Sequence, residues 1–95
     1  MNAPRSFTYS AWRHGGWYVN EVRYPSGATG CVSRNYTDKR WRIVCDPRSD
    51  GYSYTYPSRD MAARAEWAIA QSLHRGDAWL PPDVRTLHSL GPVAP

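Results

Sequence analysis

The sequence has little of what several protein classes require. Its 95 residues include two cysteines, Cys31 and Cys45, too few for the disulfide framework of a small secreted domain. No apolar run approaches the roughly 18 residues of a membrane span, which excludes a transmembrane reading, and no membrane partner is expected. The opening Met1-Asn-Ala-Pro-Arg-Ser6 has no apolar stretch of the secretory kind. A cytoplasmic, intracellular protein is therefore the expectation. There is no phosphate-binding loop, no histidine-rich zinc motif and no nucleophile elbow. His14, His74 and His88 form no ligand spacing with the cysteines. Glutamate occurs only at Glu21 and Glu66, on different predicted elements. A non-enzymatic protein with no cofactor and no metal is expected.

What the chain does have is aromatic surface and arginine. Five Trp, seven Tyr and one Phe exclude a disordered chain, and the length allows one small domain with a compact core. The formal net charge is +4, and residues 1–58 hold all of it: seven Arg and one Lys stand against four acids. Arg34, Lys39, Arg40, Arg42 and Arg48 cluster there around Asp38 and Asp46. Such a patch attracts phosphate or another acidic partner.

The pattern predicts an α+β fold: an antiparallel sheet of four to five strands over residues 6–57, one main helix over 58–76 packed on one face, and a short helix in the C-terminal tail 77–95, with residues 1–5 as a tail. Phe7–Trp12 alternates like a strand before the turn signal His14-Gly15-Gly16. Trp17–Tyr24 is the clearest strand, ended by Pro25-Ser26-Gly27. Residues 28–35 return antiparallel, Trp41–Cys45 is a further strand, and Tyr52–Tyr56 closes the sheet. Ser58 is a good N-cap, Asp60 favours the first turn and Gly76 fits the position after the last turn. Met61, Ala62, Ala65, Ala68, Ile69 and Leu73 form the predicted apolar stripe, with Arg64, Glu66 and Gln71 on the other surface. Asp83 caps the predicted tail helix through Leu90, and Trp79, Leu87 and Leu90 are expected to fold back on the domain.

Strand alternation divides the side chains between two faces. Trp17, Val19, Glu21 and Arg23 share one face of their strand; Tyr18, Asn20, Val22 and Tyr24 share the other. The helix should claim Trp41, Ile43 and Cys45, leaving Arg42 on an uncovered face. A hairpin centred on Asp38 places Arg34 opposite Arg42 and Cys31 opposite Cys45. The cysteines are then near enough to bridge, although two small buried thiols suit a chain with no signal segment better. Two opposed arginines repel unless an anion lies between them.

The run from Lys39 to Arg48, and then from Gly51 through Tyr52, Tyr54 and Tyr56 to the Ala-rich helix around Trp67, resembles a known pattern. It is similar to the arm-type DNA-binding domains of phage and transposon tyrosine recombinases, and more distantly to the plant AP2 domain. The resemblance covers residues 17–75 and implies a three-stranded sheet that reads the major groove while a helix braces its back. It makes Arg34, Arg40 and Arg42 the DNA-facing candidates, places Trp41 in the core, and implies a phage or mobile-element origin. No recombinase catalytic domain follows, so an accessory or regulatory protein is implied. The residue-level reading adds Tyr18, Asn20, Tyr24, Lys39 and Arg48 as nucleic-acid-binding candidates, since Tyr and Arg suit stacking and backbone contacts and Asn can read adenine. Tyr, Trp and Arg are equally the residues of protein interfaces, so a protein-binding module, such as an inhibitor or adaptor, is the alternative.

Overall fold

The computed structural model describes residues 3–76. Four strands, β1 (Tyr9–Trp12), β2 (Gly16–Arg23), β3 (Thr29–Ser33) and β4 (Arg42–Ile43), form one antiparallel sheet in the order β1-β2-β3-β4. Among the described residues one α-helix, α1 (Arg59–Arg75), follows. The α+β architecture expected from the pattern is thus present. The predicted tail helix and its Trp79, Leu87 and Leu90 lie outside the described residues.

Local chemistry explains the boundaries. His14 and Gly15 both take positive φ, 68° and 76°, and close the β1–β2 hairpin. Ser58 accepts the Met61 amide at 3.1 Å and starts α1, while Gly76 in the left-handed region (φ 74°) stops it. Tyr52–Tyr56 is not a strand. Gly51–Ser53 forms a 3-10 turn, and only Tyr56 pairs, through two backbone bonds to Trp41 of 3.3 and 2.9 Å.

One face of the sheet is closed by α1. Trp17, Val32 and Ile43 lie side by side across β2, β3 and β4, and Val19 faces Gly30. With Phe7, Val22, Ala62, Ala63, Ile69 and Ala70 they surround the core. The alanines on α1 let the helix approach the sheet closely.

Two irregularities reassign the faces. The β2–β3 pairing shifts between Val19 and Arg23, where β2 carries extra residues in a bulge. Val19 and Val22 therefore both point inward and are fully buried, and Glu21 and Arg23 turn to solvent. Tyr24 packs against the core rather than beside Tyr18. The bulge closes over Gly30, where a β-carbon would stand 2.7 Å from Val22 Cβ and 2.6 Å from Glu66 Oε1. The second irregularity is a one-residue slip in the β3–β4 hairpin, which pairs Ser33, not Arg34, with Arg42. Such a slip moves a side chain to the other face. Cys31 accordingly meets Val44, whose amide it accepts at 2.9 Å, and both cysteines are free thiols. Cys31 is buried, whereas Cys45 is exposed and not on the helix-covered core. On α1, Met61 is 51% exposed and outside the stripe, while Glu66 is buried at 1%.

Candidate nucleic-acid interface

The basic cluster seen in the sequence separates into two buried arginines and a group of exposed cations. Arg42 is 6% exposed. Its Nη1 and Nη2 donate to the two carboxylate oxygens of Asp38 at 2.9 Å each, and Nε donates to the Tyr52 carbonyl at 2.8 Å. The guanidinium carbon lies 4.8 Å from the Tyr36 ring centre and 4.3 Å from that of Tyr52. With three of its five N–H donors paired and two rings against it, the buried Arg42 is a structural residue and not the uncovered ligand expected from strand alternation. The Arg42 hydrogen bonds hold the Asp38 carboxyl well below the usual carboxylate range, helped by the Arg40 amide.

Arg48 is likewise internal rather than a surface ligand. It is 4% exposed, donates to Asp46 at 2.9 and 2.6 Å, and lies 3.9 Å from the Tyr54 ring centre. Tyr56 Oη accepts from its Nη2 at 3.1 Å. Tyr24 is half-buried and donates to Glu66 Oε2 at 2.7 Å, on the helix side of the sheet.

Arg34, Lys39 and Arg40 remain exposed. None has a side-chain ion pair among the described residues, because the one carboxylate of their loop, Asp38, is committed to Arg42. The slip places Arg34 across from Trp41, with its guanidinium carbon 5.7 Å from that ring centre. Arg34, Asn35, Lys39 and Gly15 line a recess of about 420 Å³ between the β3–β4 loop and the β1–β2 turn. Asn35 secures the two segments by donating from Nδ2 to the His14 carbonyl at 2.8 Å. Lys39 is held in the left-handed region at φ 58°, and Arg40 donates its amide to Asp38 at 3.0 Å. The loop is thereby fixed with its cations outward.

A run of aromatic rings leads from the β1–β2 turn, whose Gly15 lines the recess, onto β1 and β2. Tyr18 is 37% exposed and meets Trp12 edge-on with ring centres 6.4 Å apart; Trp12 meets His14 at 5.6 Å. Asn20 is exposed, with Nδ2 donating to Thr8 Oγ1 at 3.1 Å and Oδ1 accepting from Ser10 at 3.0 Å. The structure therefore brings Arg34 and Lys39 together, sets Arg40 beside Lys39 in the chain, leaves Tyr18 and Asn20 exposed on β2, and removes Arg42, Arg48 and Tyr24. Asn35, His14 and Trp12 were not singled out in the sequence as contributors. The turn signal at His14-Gly15 located the segment but not its partner across the hairpin.

Among the described residues, no group of three or more His, Cys, Asp or Glu side chains could hold a metal ion. No helix among them is long and apolar enough to cross a membrane. The chain matches no protein-family model, no curated protein and no solved structure.

Proposed function

We propose that the chain is a non-enzymatic nucleic-acid-binding accessory protein whose contact surface is the β3–β4 loop and the adjoining β1–β2 turn. Arg34, Lys39 and Arg40 bind phosphates, and the rings of Tyr18 and His14 offer flanking surfaces for bases. The observation that carries this reading is the commitment of Asp38 to Arg42. It leaves three outward cations without a neutralising carboxylate, two of them, Arg34 and Lys39, lining a recess fixed by Asn35. Clustered unpaired cations raise the local potential and favour a polyanion, and aromatic rings beside a cationic groove suit a nucleic-acid strand. The surface differs from the Arg-lined sheet face that the recombinase resemblance implied, because Arg42 is internal. An accessory role in a phage or mobile element belongs to this reading.

Fluorescence anisotropy with single-stranded and duplex oligonucleotides tests it. Binding at low salt that weakens steeply as salt rises supports phosphate contact. Absence of binding to both forms at low salt removes the reading.

A protein-binding module is the second reading, favoured by one observation. Among the described residues β1 stands at the edge of the sheet and pairs with β2 alone, and an edge strand can accept an added strand. Association of that kind is much less sensitive to salt.

A further inference from the structure

Trp17, Val32 and Ile43 face α1, so their chain neighbours point to the opposite face of the sheet. Directly opposed residues share a face, which groups Ser10, Tyr18 and Cys31 there, and likewise Trp12, Ser33 and Arg42. The β3–β4 half of this second face is closed. Cys31, Ser33 and Arg42 are buried, and the Tyr36 and Tyr52 rings lie against the Arg42 guanidinium. Among the described residues the β1–β2 half is open: Ser10, Tyr18 and Asn20 are exposed and Trp12 is half-buried. Gly16 makes room there for an indole, because a β-carbon on it would collide with Cε3 of Trp12. Trp12 meets His14 and Tyr18 at interplanar angles of 71° and 66°, and the three form an unbroken run of rings.

The run joins the cationic recess at the β1–β2 turn. His14 precedes Gly15, which lines the recess with Arg34 and Lys39, and the His14 carbonyl accepts from Asn35. Cations at one end and rings at the other thus make one path from the β3–β4 loop onto β1 and β2. A duplex keeps its base faces stacked inside, and rings on a sheet surface reach them only once the bases are unstacked. Readers of duplex instead lay a helix or strands into a groove. The sheet face that would do so here is half closed by Tyr36 and Tyr52, and Arg42 is internal.

We propose that this path selects single-stranded over double-stranded nucleic acid. Phosphates of one strand follow Arg34, Lys39 and Arg40, and its bases stack on His14, Tyr18 and the accessible part of Trp12. The inference rests on the nucleic-acid reading above and specifies the form of the ligand. Stacking accepts every base, so the path discriminates strandedness rather than sequence.

The test is fluorescence anisotropy of the full chain at low salt with a short labelled DNA strand of mixed sequence, and with the same strand annealed to its complement. The single strand should bind at least about tenfold more tightly than the duplex. Tyr18→Ala should weaken single-strand binding at least about fivefold, the loss of one stacked base, with the salt slope unchanged because the phosphate contacts remain. Tyr18→Phe keeps the ring and should bind as wild type does. In amide-resolved NMR of the wild type, the strand should perturb residues 12–18 and 34–40 together. Binding to neither form removes the nucleic-acid reading, and this inference with it. Equal or tighter binding of the duplex, or a folded Tyr18→Ala variant with unchanged single-strand affinity, overturns the inference and leaves the phosphate-binding loop standing. If Tyr18→Ala does not fold, the wild-type affinity ratio and the response of residues 12–18 decide it.

Discussion

Asp38 holds Arg42 through two parallel hydrogen bonds of 2.9 Å, and that pair sits at the junction of fold and surface. The bidentate geometry is strong and specific to a guanidinium. It anchors the β3–β4 loop to the Tyr36 and Tyr52 rings, and it withdraws the only acid from a loop that carries Arg34, Lys39 and Arg40.

Arg42→Lys should therefore act as a destabilising substitution rather than a conservative one. A lysine cannot keep both oxygens of Asp38 and the Tyr52 carbonyl, nor lie flat between two rings. The expected outcome is a lowered melting temperature by circular dichroism. Because Asp38 is held below its ordinary carboxyl range in the folded chain, its stabilisation is present above about pH 4 and is lost as the pH falls below that value. An acid transition in Asp38→Asn as steep as in the wild type would contradict the assignment.

Glu66 gives the opposite pH dependence. Its folded carboxyl titrates at about 7, above the ordinary 4.5, so the folded chain holds the proton more tightly than the unfolded one. Stability attributable to this group is complete below about pH 4.5 and is lost as the pH rises through 7, by about 3 kcal/mol. Urea denaturation of Glu66→Gln across this range should show its stability rising relative to wild type as the pH increases. Parallel curves would place the carboxyl in contact with water.

Gly30→Ala should destabilise the fold by about 1–3 kcal/mol, the usual cost of forcing an extra carbon into a packed interior. Its β-carbon would stand under 3 Å from both Val22 and Glu66. A chemical denaturation midpoint equal to that of the wild type would show that the β2 bulge does not close over this position.

The two thiols should differ in reactivity. Cys45 is exposed, whereas Cys31 is buried and its thiol is pushed up to about 12, chiefly by that burial. The thiolate is the reactive form. Iodoacetamide should modify Cys45 first in the native protein and Cys31 only on unfolding, as mass spectrometry would reveal. Rapid modification of Cys31 in the native chain would contradict the packing of β3.

Much of this architecture was legible from the residues. Ser58, Asp60 and Gly76 mark the helix ends because capping is local chemistry, and His14-Gly15 marks a turn because both residues accept positive φ. The face of Trp41 and Ile43 was also readable, since their alternation with Arg42 is local. What was not readable depended on register. A bulge after Val19 reverses the remainder of β2, and the slip to the Ser33–Arg42 pair separates Arg34 from Arg42. Neither follows from period-two alternation. The burial of Arg42 needed three separate segments to meet, although Asp38 four residues earlier and the tyrosines at 36 and 52 were the available signs. Helical spacing and an ionisable side chain put Glu66 on the outer surface of the helix; Tyr24, distant in sequence, is what receives it inside.

The most direct test of the account compares wild type with the Arg34→Ala/Lys39→Ala/Arg40→Ala variant in single-strand binding by anisotropy over a range of salt concentrations. Wild type should bind with a steep salt dependence, and the variant, with an unchanged melting temperature, should lose about two units of the logarithmic salt slope, as expected for three phosphate contacts. An identical slope and affinity in the two proteins would contradict the claim that this loop is the contact surface.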